Sequence, residues 1–576
     1  MTRILSAGLT LLAIVGLTTC SSPRTPSATV RIRWAQDPGN LDPLAPSNPY
    51  ATESLNLLHT YLLASDNITG TPAPWLAEAI PTIQRTDSLT LITYRLRKKA
   101  RWDNGEPVSA HDVAFTLKVM NCPGLPNEAV RARFDFIEDV LFDKNDNRHF
   151  TLVCRGRAPE FLKASGDYPI LPEYALDPQR TLRSFSLRTL QKNDNTFAAN
   201  PVITAFVRRY LAADLPHHPE RLPGCGPYQL QKWHSGQQLT FKRKRSWWAD
   251  QLRPVPAHLL ARPTTIEYQV IPDVGTSLLA LRRGEIDIYP LVPAKDFYRL
   301  SRSEAARRLQ FHTFDSYEMV TLGFNTRHPL LQDKLTRRAL SHLVDIPGLI
   351  KATQQGVAQR TVGLISPHNR AAYNDSLPLL SYDLTAATLL LQKAGWLRQA
   401  DGRWLRRMVS GQTQPLSLTV SYRAGDPLYE QVAAQFQTAA TLLGVPVRLR
   451  PTEASVLTGK LKSGEFELYI RTLMGNPFIF NFAPILHSAS VGTSNYTGFG
   501  TPTSDKLIEA IALEENPKRK IRLLRKFQIL LQQESPLVPL FFLPYRLIAS
   551  NQIANLQPSG LNPGYEVKTI ITQSAN

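Results

Sequence analysis

The sequence predicts an α/β protein, and three observations carry that prediction. "LSLTVSY" (Leu416 to Tyr422) alternates apolar and polar residues as a strand. The stretch from Tyr429 to Leu443 then sets Val432, Phe436 and Leu443 at helical spacing and stops at Gly444, and "VPVRLR" (Val445 to Arg450) follows as a second strand. A strand, helix and strand at this spacing pair in parallel through a right-handed crossover. The second observation is a set of amphipathic helices with their own start and stop signals. The third is composition: 43% hydrophobic and 20% charged over 576 residues. That supplies substantial cores and, at ~100–200 residues per domain, roughly three to five structural units.

At the N-terminus Arg3 precedes an apolar or small run, Ile4 to Thr18. The run is short of the ~20 residues a spanning helix needs and has the length of a signal peptide. It ends in "LTTC" (Leu17 to Cys20), which resembles the lipobox of bacterial lipoproteins, although Thr19 stands where that motif has Gly, Ala or Ser. The resemblance implies lipidation of Cys20, a signal peptide over 1–19 and a Ser/Pro-rich tether over 20–28. Three cysteines then remain, Cys122, Cys154 and Cys225. They permit one disulfide and one free thiol, or no disulfide. None lies in a C-x-x-C pair, which argues against a zinc ribbon or a thioredoxin-type site.

Beyond the tether, "TVRIRWA" (Thr29 to Ala35) alternates as a half-buried strand. "SAHDVAFTLKVM" (Ser109 to Met120) reads as a helix capped by Ser109, with Asp112 three residues on. "PYQLQKWHSGQQLTFKR" (Pro227 to Arg243) reads as two strands around Ser235-Gly236, and "TIEYQVI" (Thr265 to Ile271) as another, followed by a helix ending near Gly284. "SYDLTAATLLLQKAGW" (Ser381 to Trp396) takes Asp383 as cap and Gly395 as stop, with Leu384, Ala387, Leu391 and Ala394 inward. The formal charge of +19 is spread along the chain. Its densest cluster, "PKRKIRLLRK" (Pro517 to Lys526), carries Ile521, Leu523 and Leu524 between charges, the pattern of a solvated helix face. No nucleic-acid-binding motif accompanies it.

Catalytic signatures are missing: there is no H-E-x-x-H, no G-x-S-x-G and no Walker A. The adjacent pair His217-His218 cannot share a helix face as metal ligands. The expectation is therefore a protein that is not an enzyme and has no cofactor, no metal site and no nucleic-acid partner.

Several blocks, in order, resemble the family 5 extracellular solute-binding proteins, the dipeptide, oligopeptide and nickel receptors of bacterial ABC importers. They are "GNLDP" (Gly39 to Pro43), "PWLAEA" (Pro74 to Ala79), "YRLRKKARWDNGEPVSAHDVAFTLK" (Tyr94 to Lys118) and "GCGPYQLQKWHSGQQLTFKRKRSWW" (Gly224 to Trp248). "LLALRRGEIDI" (Leu278 to Ile288), "LGFNTRHPLLQDKLTRRALSHLVD" (Leu322 to Asp345), "SNYTGFGTPTSDKLI" (Ser494 to Ile508) and "LLQQESPLVPLFFL" (Leu530 to Leu543) continue the series. The resemblance implies a two-lobed periplasmic-binding-protein fold (type II, peptide-receptor-like) with an extra subdomain in lobe I. Lobe I would cover 29–316 with the subdomain at about 62–200, lobe II 317–540, and 541–576 would return to lobe I. Crossings near Ser316–Tyr317 and Pro539–Phe541 would form the hinge.

The implied function is capture of peptides between the lobes and delivery to permease subunits. The implied state is a monomer, lipid-anchored to a membrane of a bacterial cell envelope and facing the periplasm or the exterior. The same fold binding a metal chelate, sugar or other small solute is the alternative; a lipid-anchored enzyme or a scaffold without transport is less favoured. Candidate ligand residues are Asn48 and Tyr50 after the Leu-Asp-Pro block, Tyr317 at the hinge, and Asn495 and Tyr496 in the "SNY" block. Leu473, Met474 and Asn476 complete the set, in the stretch that matches the peptide receptors' Trp and ammonium-binding Asp. Neither of those two residues is present there. A buried ammonium without a counter-charge costs several kcal/mol. A displaced carboxylate, Glu465 or Glu467, or a ligand without that amine would resolve the conflict.

Overall fold

Two long strands, Leu309–Phe324 and Leu537–Ser550, organise the molecule. They pair antiparallel almost end to end, from Leu309 opposite Ser550 to Gly323 opposite Leu537. The pairing breaks twice, between Asp315 and Met319 and again between Val320 and Thr321. On one side of the breaks Phe314, Leu547 and Ala549 pack into one core; on the other, Val320, Leu322, Leu540 and Phe541 pack into a second. The chain thus forms a two-lobed α/β fold in which both lobes share the same pair of strands. The computed structural model describes residues 29–66, 71–192, 200–408, 411–475 and 480–573.

Lobe I extends the sheet from Leu537–Ser550 through Ile288–Tyr289, Thr29–Trp34, Thr265–Val270, Gln238–Arg243 and Tyr228–His234. Thr29–Trp34 lies parallel to Thr265–Val270, in register from Thr29–Thr265 to Trp34–Val270. Lobe II extends it the other way, through Leu468–Met474, Leu418–Arg423 and Val447–Thr452. The last two are parallel and joined by the helix Pro427–Leu443, the crossover expected from the sequence. Asp426 caps that helix, and Gly444 ends it in the left-handed conformation (φ +86°), which a Cβ would disfavour.

A separate four-stranded antiparallel sheet runs Thr82–Arg85, Leu89–Arg95, His149–Arg155, Ile137–Phe142. Its inner residues Ile92, Tyr94, Phe150 and Leu152 join the core of lobe I, so it is built onto that lobe. The helix Ala110–Met120 lies beside it, and Asp112 accepts from the Ser109 backbone N–H at 2.8 Å, as the spacing predicts. The hairpin 228–243, the strand at 265–270 and the helix Leu384–Lys393 fall where the sequence places them.

The Gly-Cys-Gly block has a packing reason. A Cβ on Gly224 would stand 2.1 Å from the Leu58 carbonyl oxygen, and one on Gly226 2.5 Å from that of Leu57. The block lies directly against the end of the helix Pro49–Leu58, with the Gly226 N–H donating to Leu58 O at 3.0 Å. All three cysteines among the described residues are buried and free. Burial pushes the thiols of Cys122 and Cys154 up to about 12 and that of Cys225 to about 11. Among the described residues no helix is long and apolar enough to cross a membrane.

Candidate functional site: two hollows beside a register-broken strand pair

Each lobe presents a hollow, and one segment of chain connects them. Residues 559–568 return to lobe I after the second long strand. A Cβ on Gly560 would lie 2.5 Å from Asp315 O and 3.1 Å from the Tyr317 ring. Five residues later, Tyr565 lines the hollow of lobe I. Tyr317 itself lines the hollow of lobe II.

The lobe I hollow, about 320 Å³, is walled by Tyr61, Trp75, Phe134, Tyr168 and Tyr565. Its floor is set by Glu53, which accepts from Tyr565 Oη at 2.7 Å, Tyr268 Oη at 2.9 Å and Trp34 Nε1 at 3.1 Å. Burial pushes the Glu53 carboxyl up to about 7, against the opposing pull of those three donors. Trp75 Nε1 and Tyr168 Oη are buried and find no hydrogen-bond partner among the described residues. Buried donors of this kind call for an acceptor from water or a ligand. Arg133 pairs with Asp167 at 2.9 Å on the same wall. The Lys568 ammonium lies 4.0 Å from the Trp75 ring centroid and 3.8 Å from Glu566, and burial lowers its pKa.

The lobe II hollow is larger, about 600 Å³. Tyr317, Leu473, Met474, Phe480, Phe482 and Phe542 give it an apolar wall, and His368, Asn369, Arg370 and Asn481 a polar one. No carboxylate is among its described lining residues. Asp315, at the first register break of the long strand, holds His368 from outside at 2.9 Å. Glu318 lies within the same break and is committed to Tyr545 Oη at 2.6 Å. At the periphery Arg85, on the added sheet of lobe I, reaches Glu515 of lobe II at 3.1 Å.

The sequence-predicted residues divide. Tyr317, Leu473 and Met474 come together in the lobe II hollow, with Met474 63% exposed and Leu473 buried. Asn476 lies outside the described residues, as does Cys20. Asn48 is spent on the fold: its Oδ1 caps the helix Pro49–Leu58 at Tyr50 N and Ala51 N, and its amide donates to Asp37 O and Pro38 O. Tyr50 packs against Trp34, with ring centroids 5.2 Å apart. Asn495 is buried, donating to His487 O and Phe499 O and accepting from Thr497 Oγ1. Tyr496 lies under Arg471, 5.0 Å from its guanidinium, and against Tyr469. None of these four lines either hollow.

The suggested substitute carboxylates also fail on geometry. Glu467 accepts from the Thr419 backbone N–H at the far end of the strand Leu468–Met474. The length of that strand puts it roughly 20 Å from Met474. Glu465 is exposed beyond it and accepts from Ser463. Trp75, Tyr168, Arg133 and His368 were not singled out from sequence. Trp75 lies inside a block that marks the fold, "PWLAEA", where its side chain reads as core.

The model of the bacterial extracellular solute-binding proteins, family 5, matches residues 71–490. The chain belongs to that family. Protein XP55 of Streptomyces lividans is 25% identical over 535 residues, covering 91% of this chain and 87% of the relative. The nickel-binding periplasmic protein of Escherichia coli is 25% identical over 500 residues, covering 84% of each. Among solved structures, the oligopeptide-binding protein AppA of Bacillus subtilis in complex with a nonapeptide superposes with a TM-score of 0.71 at 18% identity, covering 95% of this chain and 99% of that one. Family membership makes the chain a solute-binding protein, and among the described residues no group of three or more His, Cys, Asp or Glu is placed to hold a metal ion.

Proposed function

We propose that the protein is the receptor of an ABC importer that captures peptides between its lobes, anchored by a lipid on Cys20 and acting as a monomer with permease subunits in the membrane. The observation that carries this reading is the pair of hollows on opposite sides of a register-broken strand pair. A ligand touching both stabilises the closed state by its differential contacts and shifts the population toward it. The breaks at Asp315–Met319 and Val320–Thr321 are the proposed hinge. The AppA complex with a nonapeptide supports peptides as the solute class.

The lobe II wall qualifies how a peptide would sit. His368 and Arg370 face the hollow with no lining carboxylate, so lobe II suits a carboxylate or another anionic group of the ligand rather than its α-ammonium. The same observation favours the second reading, a small anionic solute such as a metal chelate. Native mass spectrometry of protein purified from cells separates the two. A ladder of peptide masses is the expected result; a single non-peptide mass selects the alternative, and an empty protein contradicts both.

A further inference from the structure

The hollows leave one large charged feature unexplained. A cavity of about 690 Å³ opens at the outer end of lobe I, lined by Arg101, Lys242, Arg243, Lys244 and Arg245 over the buried rings of Trp102, Trp247 and Trp248. Asp103 is the one acidic residue among its described lining, and it is tied to Lys244. Arg243 is held by Asp250 at 2.7 Å. Arg101, Lys242 and Arg245 are exposed and form no ion pair among the described residues. Arg262, also exposed, stands at the same end, where the Arg243 guanidinium donates to the neighbouring Ala261 O at 2.7 Å.

The sheet register fixes where this cationic surface lies. Thr29 is opposite Thr265, Thr265 opposite Lys242, and Lys242 opposite Gln229. Gln229 and Lys242 both line the cavity. At about 4.8 Å between strands, Lys242 sits roughly 10 Å from Thr29 along this row. Residues in one row point to the same face of a sheet. The nine residues from Cys20 to Ala28 span at most ~30 Å when extended. In a chain anchored at Cys20, that length would keep Thr29, and with it this end of lobe I, within about 30 Å of the bilayer surface.

We infer that the cationic end of lobe I, centred on Arg101, Lys242 and Arg245, docks on anionic lipid headgroups and orients the receptor on its membrane. The orientation rests on the lipid-anchored reading; the headgroup contact itself does not. Lys and Arg near an anionic surface each contribute roughly five-fold to membrane partition, and the attraction decays within a Debye length.

The test uses the full chain carrying Cys20→Ala, so that acylation plays no part, and vesicles of phosphatidylcholine with or without phosphatidylglycerol. Co-sedimentation with the anionic vesicles is expected at low salt, falling steeply as salt rises. The triple variant Arg101→Ser/Lys242→Ser/Arg245→Ser should bind on the order of 100-fold more weakly. A matched control removes three exposed cations elsewhere, Lys518→Ser/Arg519→Ser/Arg522→Ser on the helix Pro517–Glu534, and should bind nearly as the parent does. Equal loss in the two triples would mean that net charge alone is at work and would overturn the proposal, as would unchanged binding of the first. Binding by the Cys20→Ala chain, together with absent palmitate labelling of the wild type, would keep the surface and discard the anchor.

Discussion

The two hollows are built on different principles. In lobe I the wall is tied down from beneath: one carboxylate, Glu53, receives donors from three strands or loops as far apart in sequence as Trp34, Tyr268 and Tyr565. In lobe II the wall is a strand end, Leu473–Met474, facing Phe480 and the loop carrying His368 and Arg370. Lobe I fixes geometry by interlocked hydrogen bonds in a low-dielectric setting. Lobe II offers an apolar surface beside the exposed side chains of His368 and Arg370. The contrast teaches that the lobe sharing its core with the added sheet cross-ties its wall through a buried carboxylate, while the other lobe leaves polar side chains exposed at its hollow.

Gly226→Ala is the change of largest expected effect, and it falls in lobe I. Its Cβ would meet backbone atoms at 2.5 Å, which cannot yield as a side chain would. Overpacking of this kind costs up to about 3 kcal/mol, read as a lowered midpoint in thermal unfolding. An unchanged midpoint would show that the helix Pro49–Leu58 moves freely on the sheet.

Glu53 provides the next test. Its carboxyl sits near 7 in the fold against 4.5 for the free group. A raised folded value means that the stabilising share of this group is fully present below about pH 4.5 and is lost as pH rises through 7. The loss across that window is roughly 3 kcal/mol. Glu53→Gln should flatten the unfolding midpoint between pH 4.5 and 7 relative to the parent, and equal slopes in the two proteins would contradict the buried-carboxyl reading.

A third change addresses lobe II. Met474 is 63% exposed and stands opposite Glu318 on the paired strand, so Met474→Asp should cost no more than about 1 kcal/mol of stability. It would give the lobe II hollow the carboxylate it lacks. Peptides with a free N-terminus should then bind about ten-fold tighter relative to their acetylated forms, since a charge-assisted hydrogen bond is worth roughly 1.5 kcal/mol or more. Titration calorimetry with a paired free and acetylated tripeptide reads this. No change in preference would mean that a peptide's ammonium does not reach the end of the strand Leu468–Met474.

Asp315→Ala is the smallest effect. The pair with His368 joins groups 63% and 49% exposed, and exposed pairs contribute about 0–1 kcal/mol. A shift of unfolding by less than about 2 °C is expected, with any effect confined to ligand affinity.

Local features of the fold were readable in the sequence because their causes are local. Ser109 with Asp112, Asp383 and Gly395, and the Gly444 stop each act within a few residues, and each falls where the spacing puts it. The ligand residues were harder for a physical reason. Asn48 and Asn495 sit in blocks that mark the family, yet an asparagine withdrawn from solvent satisfies its amide first, and both are consumed largely by backbone atoms. Trp75 and Tyr168, far apart in the chain, come to line one hollow as unsatisfied donors only in the folded molecule. His368 meets Asp315 across 53 residues of chain, with no periodicity to announce it.

The hinge is the central claim, and small-angle X-ray scattering tests it most directly. Protein freed of co-purified ligand by unfolding and refolding would be measured alone and with a tryptic digest of casein that has been shown by calorimetry to bind. Closure of the lobes over ligand predicts a smaller radius of gyration in the bound sample. An identical radius in the two samples, with binding present, would contradict a receptor that works by closing.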